Sequence, residues 1–545
     1  MHIVSMVLYY SLYSSMILLS VYLRIINVPG KKNVNRYAQI ADNCRKDGRT
    51  MVKVLKHLGP VKSDVDIERY RRIFAMEEQK ALIENADLRK LDILPPKEYG
   101  MIYASRILCS YNGLDQVFNL LGDHSDIIFL EAVSRLIYPS SDYALLRLSD
   151  RIECPIKDMK KDRIYAALDA LIERKDEIEE SIVKILKPDM RRVYYDLTST
   201  YFEGKEKNDL VMFVYSRDRK KGKRQINVGL MMVDGIPIHH QVFPGNTVDP
   251  KTLRPISEEL RHKFHVKRVI FIGDRAFGRK PSLQYMDKNE YITAVYRWDQ
   301  PYRSILASTE FSENDCLKDL DLYAREGNIK WNARGLSKSE IKRTRNRRAV
   351  AVYSPEREKE DIADMEEKVS IVKSIIDSGK KGSDLINALG KLRSCTISNG
   401  TSINEKKIAD MKKIAGRFMI VSDTDLSITD MVKGYKDLWR IERSFRTIKS
   451  FLEIRPVYHR KEERIEAHVF VCVLSLLISR LFEKAMDEKM TISSMADALS
   501  ELKAIPVMIP EGEIVLRSES DNARKILESM KIPYPGKILD SVPTK

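Results

Sequence analysis

The sequence predicts an α/β protein: a mixed sheet with helices on its faces, interrupted by a strand-containing insertion and preceded by a small β unit and a helical region. Three observations predict it. From residue 192 to 298, β-branched and aromatic runs alternate with loops and one helical stretch; from 299 to about 430 the chain becomes highly charged; and from Tyr435 onward helical periodicity returns.

With 545 residues the chain exceeds what one hydrophobic core organises, so roughly three or four domains are expected. The pattern divides it into an apolar extension (1–20), a small basic β domain (21–62), a helical region (63–190), the first part of the sheet core (191–298), the insertion (299–430), two closing core helices (431–490) and a C-terminal region (491–545). Lys and Arg number 94 against 78 Asp and Glu, a net charge of +16. That excess fits a polyanion, with nucleic acid first, better than an acidic small-molecule substrate; a soluble basic protein with no such partner is the alternative. The six cysteines (Cys44, Cys109, Cys154, Cys316, Cys395, Cys472) form no CxxC pair, so neither a zinc site nor a disulfide framework is expected, and a reducing cytoplasm is the expected home.

Ile3 to Leu23 carry no charge and precede Arg24, Lys31 and Lys32, the profile of a signal anchor. There is no basic n-region and no small-residue cleavage site, and the apolar run passes straight into a strand pattern. An N-terminal extension is therefore expected, with a membrane span as the alternative.

Residues 21 to 60 read as short strands around Pro29-Gly-Lys-Lys-Asn and Lys46-Asp-Gly-Arg, ending at Gly59-Pro60. A charged stretch from 63 to 98, closed by Pro95-Pro96, reads as helix and linker; Tyr99 to Lys187 reads as helices broken at Pro139 and Pro155. Strands follow from Val193, Ile226 and Ile236, three in succession as a meander; then a helix from Pro250 to His262, a buried strand from Val266 to Asp274, and a fifth strand from Tyr291 to Trp298. In the insertion, strands are expected near 328–332, 349–353 and 417–421, with a helix carrying Ile362, Met365, Val369, Val372 and Ile376 on one face. A very apolar helix is expected from His468 to Phe482.

The segment Tyr435-Lys-Asp-Leu-Trp-Arg-Ile-Glu442 continues to Lys449, and Tyr435, Glu442 and Lys449 recur at steps of seven, nearly one face of a helix. Leu438, Ile441, Phe445, Ile448 and Leu452 form an apolar stripe beside them. Asp196 lies inside an apolar strand pattern and Asp274 ends another, positions costly for a carboxylate unless a cation compensates. Each Asp alone is accounted for by a strand-end cap or a neighbouring Arg. Together with Glu442, three carboxylates form the oxygen ligand set for two hard divalent cations such as Mg²⁺, with Mn²⁺ as a substitute, and two such ions about 4 Å apart clamp a phosphodiester. Tyr435 as a covalent nucleophile would need an Arg and His cluster that this helix lacks.

Tyr435, Glu442 and Lys449 match three of the four positions of the Tyr-x2-Arg-x3-Glu-x6-Lys signature, and the blocks Asp196-Leu-Thr-Ser-Thr, Ile272-Gly-Asp274-Arg, Tyr215-Ser-Arg-Asp-Arg, Gln225-Ile-Asn-Val-Gly-Leu and Pro244-Gly-Asn also match. The chain thus resembles the DDE insertion-sequence transposases, in the branch named after the fourth numbered bacterial insertion sequence. The resemblance implies an RNase H-like core with a strand-rich insertion between the second Asp and the Glu. It implies Asp196, Asp274 and Glu442 as the catalytic metal-binding triad, and Tyr435 and Lys449 as phosphate contacts on the terminal strand. It also implies two-metal cleavage and strand transfer at the inverted-repeat ends of the element, bound through the helical region 63–190 and basic patches, in a homodimeric synaptic complex with end and target DNA. The signature Arg falls on Leu438, which cannot contact phosphate; Arg446, one turn beyond Glu442, is the candidate substitute. A catalytically impaired, transposase-derived DNA-binding protein is therefore the alternative. His459 and Arg460 are candidate DNA contacts or solvated loop residues. Trp298 and Trp331 are candidates for base stacking or core packing. His239-His240 are expected within a strand and not at a metal site.

Overall fold

The computed structural model describes residues 21–29, 34–46, 49–62, 66–67, 69–71, 73–74, 91–153, 156, 159–202, 210–213, 224–247, 263–264, 270–273, 290–327, 347–397, 401–452, 454, 457, 459–509 and 512–539. The apolar extension, most of the charged stretch at 63–90, the helix expected from Pro250 to His262, the strand near 328–332, and both Asp274 and Trp331 lie outside the described residues. The chain divides into two compact units: Met1–Tyr111, Asp123–Ala167 and Leu481–Lys545 form one, and Asn112–Gly122 with Leu168–Arg480 form the other.

The first unit opens with the expected β structure. Strands β1 (Val21–Pro29), β2 (Val34–Lys46) and β3 (Arg49–Pro60) form an antiparallel sheet in the order β1-β2-β3. Its core is Ala38, Val61 and Tyr70, with Leu23, Ile25, Leu58, Ile67 and Ile73 packed around them. Gly59 has φ +134°, and a Cβ there would fall 2.6 Å from the Tyr70 hydroxyl, so only glycine lets Tyr70 donate to the Pro60 carbonyl at 3.2 Å.

Two short strands follow, β4 (Asp92–Ile93) and β5 (Lys97–Glu98), then helices α1 (Gly100–Tyr111), α2 (Ser125–Ile137) and α3 (Lys161–Glu173). The chain's last strands, β16 (Lys503–Ile509) and β17 (Gly512–Arg517), close this sheet: β16 pairs with β17, β4 and β5. Lys503 Nζ lies 2.5 Å from Glu98 Oε1, which also accepts from the Tyr138 hydroxyl at 2.6 Å. Nothing in the sequence marks β4 or β5, because two-residue strands beside Pro95-Pro96 carry no periodicity; they exist through pairing with residues about 400 positions away.

In the second unit, β6 (Arg192–Phe202), β8 (Arg224–Val233) and β9 (Ile236–Pro244) form the expected antiparallel meander, with β7 (Met212–Phe213) on β8 beyond the end of β9. Strand β10 (Ile270–Gly273) runs parallel to β6, and β11 (Glu290–Val295) parallel to β10. The order β9-β8-β6-β10-β11 is that of an RNase H-like core. The insertion extends this same sheet: β15 (Arg417–Ser422) pairs antiparallel with β11, and β14 (Arg348–Tyr353), β13 (Leu322–Gly327) and β12 (Cys316–Leu317) follow outward. Its helical part has a separate core of Met365, Val372, Leu385, Leu389, Cys395 and Ile408 under a long helix (Pro355–Asp377) that begins with Ser354 accepting from the Arg357 amide.

Helix α4 (Lys175–Leu186) packs on β9 through Ile178, Glu179 and Ile182. The helices closing the core are α5 (Ile428–Lys436), α6 (Trp439–Arg446) and α7 (Glu462–Ala485). Among the described residues α7 is the one helix long and apolar enough to cross a membrane, with mean hydropathy 1.9, and 89% of that window is buried within the protein.

Candidate active site

Strand parity sets the first half of the site. Tyr194 of β6, Ile272 of β10 and Ile292 of β11 stand in one cross-strand row, so their side chains share a face of the sheet. That face is the one α5 covers: a Cβ on Gly434 would lie 3.1 Å from Ile272 Cδ1 and 3.4 Å from Ile292 Cδ1. Asp196, two residues beyond Tyr194, projects to the same face about 7 Å further along the strand. It is half-buried, pairs with Leu230 of β8, and its Oδ1 accepts from the Leu197 amide at 2.8 Å. Asp274 follows in sequence directly after β10, the strand beside β6, and lies outside the described residues.

The helical segment provides the second half. Ser427 caps α5 by accepting from the Asp430 amide at 3.0 Å, and Met431, Val432 and Gly434 are buried against the sheet. The Tyr194 hydroxyl donates to Asp437 Oδ2 at 3.5 Å, and Arg192 Nη2 lies 3.3 Å from Asp430 Oδ1. Leu438, Ile441, Phe445, Ile448 and Leu452 are all at most 5% exposed, so the expected apolar stripe is the face that packs inward. Glu442, the next residue after Ile441, is exposed. Tyr194 and Ile441, neighbours of Asp196 and Glu442 in sequence, both line a cavity of about 390 Å³ together with Ile270, Met232 and Asp437. Helix α6, which carries Glu442, thus packs against β6, the strand that carries Asp196.

The segment is not the single regular helix that steps of seven assume. The α-helical ladder is interrupted at Asp437 and Leu438, where the Leu438 amide bonds the Tyr435 carbonyl, and after Arg446 the chain widens into a π-helical turn, Thr447–Phe451, in which the Leu452 amide reaches the Thr447 carbonyl at 2.9 Å. Lys449 therefore lies on a π turn, a feature frequent at functional sites, and spacing alone no longer fixes its direction relative to Glu442. Tyr435 is half-buried with its ring 5.9 Å from that of Phe418, over which Arg357 sits at 5.6 Å. Arg446 and Arg460 are exposed; His459 is half-buried, its ring 5.7 Å from that of His468, whose Nε2 lies 3.0 Å from the Ile454 carbonyl. Trp298 is half-buried with two guanidiniums over its ring, Arg297 at 5.6 Å and Arg303 at 5.7 Å, which a stacking base would have to displace.

Two groups of ionisable residues escape sequence inspection. His239 and His240 do lie within strand β9, and there they bind a buried acid: Glu179 of α4 is 2.7 Å from His239 Nδ1, 3.2 Å from His240 Nδ1 and 2.6 Å from Lys263 Nζ. Burial alone would raise the Glu179 carboxyl, but His239, His240 and Lys175 outweigh it and hold it well below the usual range. Burial, with Lys175 nearby, pushes His240 down to about 4. The other is Asp423, pushed up to about 7 by burial although it accepts from the Tyr291 amide at 2.8 Å. It lies at the start of β11, the opposite end from the residue that follows β10, and does not join the site.

A family model described as a transposase DDE domain matches residues 197–478, beginning one residue after Asp196, and a second, described as an IS1634 family transposase N-terminal domain, matches residues 23–86. No curated relative matches the chain. Among solved structures, the chain is similar to a piggyBac transposase synaptic complex with hairpin DNA, at 10% identity and TM-score 0.33, covering 74% of this chain and 77% of that one. It is also similar to a Mos1 transposase paired-end complex with left transposon end, at 14% identity and TM-score 0.15 over 37% and 59%, and to a Mos1 mariner paired-end complex with Mn, at 16% and 0.14 over 40% and 65%.

Proposed function

This chain belongs to the family of transposase DDE domains, and we propose that it binds the inverted-repeat ends of its own insertion sequence, cleaves them and joins them to target DNA. The observation that supports this reading is that helix α6, which carries Glu442, packs against β6, the strand that carries Asp196 and runs beside the one that leads into Asp274. Carboxylate oxygens of this kind suit hard divalent cations, Mg²⁺ or Mn²⁺, which when bound would neutralise charge on the phosphodiester and ease ionisation of the attacking hydroxyl.

In this reading Asp196, Asp274 and Glu442 form the catalytic cluster, while Tyr435, Arg446 and Lys449 hold the phosphates of the terminal strand, with His459 and Arg460 beside them. Water attacks the end phosphodiester and the bond to the 3′ oxygen breaks, leaving a 3′-hydroxyl. That hydroxyl attacks a phosphodiester of target DNA in the same geometry and releases the target's 3′ oxygen, so the number of phosphodiester bonds is conserved in the second step. Two copies of the chain bring two ends together, acting in the cytoplasm on double-stranded DNA. Glu442→Gln and Asp196→Asn should each abolish Mg²⁺-dependent cleavage of end DNA in a gel assay while binding survives; retained cleavage overturns the assignment.

A second reading is favoured by one observation. Leu438 stands at the signature Arg position and is 3% exposed, so that part of the phosphate clamp is absent and a DNA-binding descendant with impaired catalysis is the alternative. The same assay, run on wild-type protein, separates them.

A further inference from the structure

We infer that the hairpin of β2 and β3 is a DNA-contacting ribbon that enters a groove of duplex DNA. Residues 21 to 62 hold ten Lys and Arg against two Asp, so this small unit carries +8, half of the chain's net charge of +16. The hairpin also outreaches its sheet. Strand β1 pairs with β2 only as far as Asp42, whereas β2 and β3 continue together from the Asn43 and Val52 pair to the Lys46 and Arg49 pair. Among the described residues this end is two-stranded, about 13 Å long by strand rise, and a two-stranded ribbon fits the major groove.

The surface of β3 agrees. Met51 and Val52 of the two-stranded end are 52 and 43% exposed, and along the same edge, where β1 also pairs β2, Val54 and Leu55 are 38 and 48% exposed with Lys53 and Lys56 exposed among them, so the contacting surface runs on from the two-stranded end along β3. An edge strand this apolar is an aggregation hazard unless something covers it. A second copy pairing edge to edge would bring the lysines of both copies together at a cost. Duplex DNA satisfies both kinds of residue at once: its phosphates take the lysines, and thymine methyls and sugars take the apolar side chains.

This inference rests on the proposal that DNA is the substrate, and its test separates the two. Binding of the full chain to a short labelled duplex is measured by fluorescence anisotropy at rising NaCl. Lys53→Glu with Lys56→Glu should weaken binding at least tenfold and flatten the slope of log affinity against log salt by about 2, since each phosphate contact contributes about 0.9. Lys53→Arg with Lys56→Arg should restore both. An unchanged slope in the Glu variant overturns the ribbon. So does a Met51→Ser and Leu55→Ser variant that binds DNA like wild type but sediments as a smaller species, which would mean that a second copy covers the strand. Neither result bears on Glu442→Gln, whose cleavage assay tests the catalytic proposal independently.

Discussion

Gly434 sits so close to Ile272 that a Cβ added to the glycine would lie 3.1 Å from the Ile272 Cδ1 atom. This contact sets how near α5 approaches β10, and Glu442 lies eight residues, about two turns, downstream. Gly434→Ala should be nearly neutral, because a contact of this kind yields by a few tenths of an ångström while alanine gains roughly 1 kcal/mol in helix propensity. Gly434→Leu cannot be accommodated that way. It should lower the melting temperature by several degrees and cut cleavage by at least about a hundredfold, through displacement of the helix. A Leu variant that melts lower but cleaves at the wild-type rate would show that the seating of α5 does not position Glu442.

The ligand role of Asp196 can be separated from its place in the strand by changing ligand softness. Asp196→Cys should lose Mg²⁺-dependent cleavage and regain a measurable part of it with Mn²⁺, since a thiolate is a poor partner for Mg²⁺ and a better one for the softer ion. Equal loss with both ions, in a variant whose melting temperature matches wild type, would count against metal binding by Asp196.

Much of the layout was legible because it rests on local periodicity. The alternation in β6, β8 and β9, the helix bearing Met365 and Val372, and the stripe from Leu438 to Leu452 each leave a repeat that burial then explains. Features made by distant partners left no such trace. Strands β4 and β5 owe their existence to β16; Glu179 meets His239 across 60 residues; and the π turn at Thr447–Phe451 depends on backbone hydrogen bonds that side-chain spacing does not report. The candidate site is intermediate: the Glu442 helix and the Asp196 strand were readable separately, but the packing of α6 on β6 joins segments about 240 residues apart and leaves no local pattern.

The buried His240 makes stability fall with acid. Its folded pKa of about 4 lies below the ordinary histidine value of 6.5, so the unfolded chain binds the proton more readily. Stability is therefore full above about pH 6.5 and is lost as pH falls toward 4. Between pH 7.5 and 5 this one group should remove about 2 kcal/mol. Glu179, held below the carboxylate range, adds its own loss, which sets in near the ordinary carboxylate value and grows as pH falls toward its folded pKa. His240→Phe, beside the Phe470 ring at 4.8 Å, should flatten the profile between pH 7.5 and 5 by one proton's worth of slope in thermal melts. An unchanged slope would mean that His240 does not titrate with unfolding.

Leu438 and Arg446 together decide how the phosphate clamp is built. Restoring the signature by Leu438→Arg should fail: the position is 3% exposed within the stripe that packs inward, and an unpaired guanidinium there should cost about 3 kcal/mol or more and lower the melting temperature without raising affinity for end DNA. Arg446 is exposed on the same helix. Arg446→Ala should weaken end binding severalfold and reduce the salt slope by about 0.9, the signature of one lost phosphate contact. If instead Leu438→Arg folds normally and binds ends more tightly while Arg446→Ala changes nothing, the clamp lies on the Leu438 side of the helix and Arg446 is only a solvated surface charge.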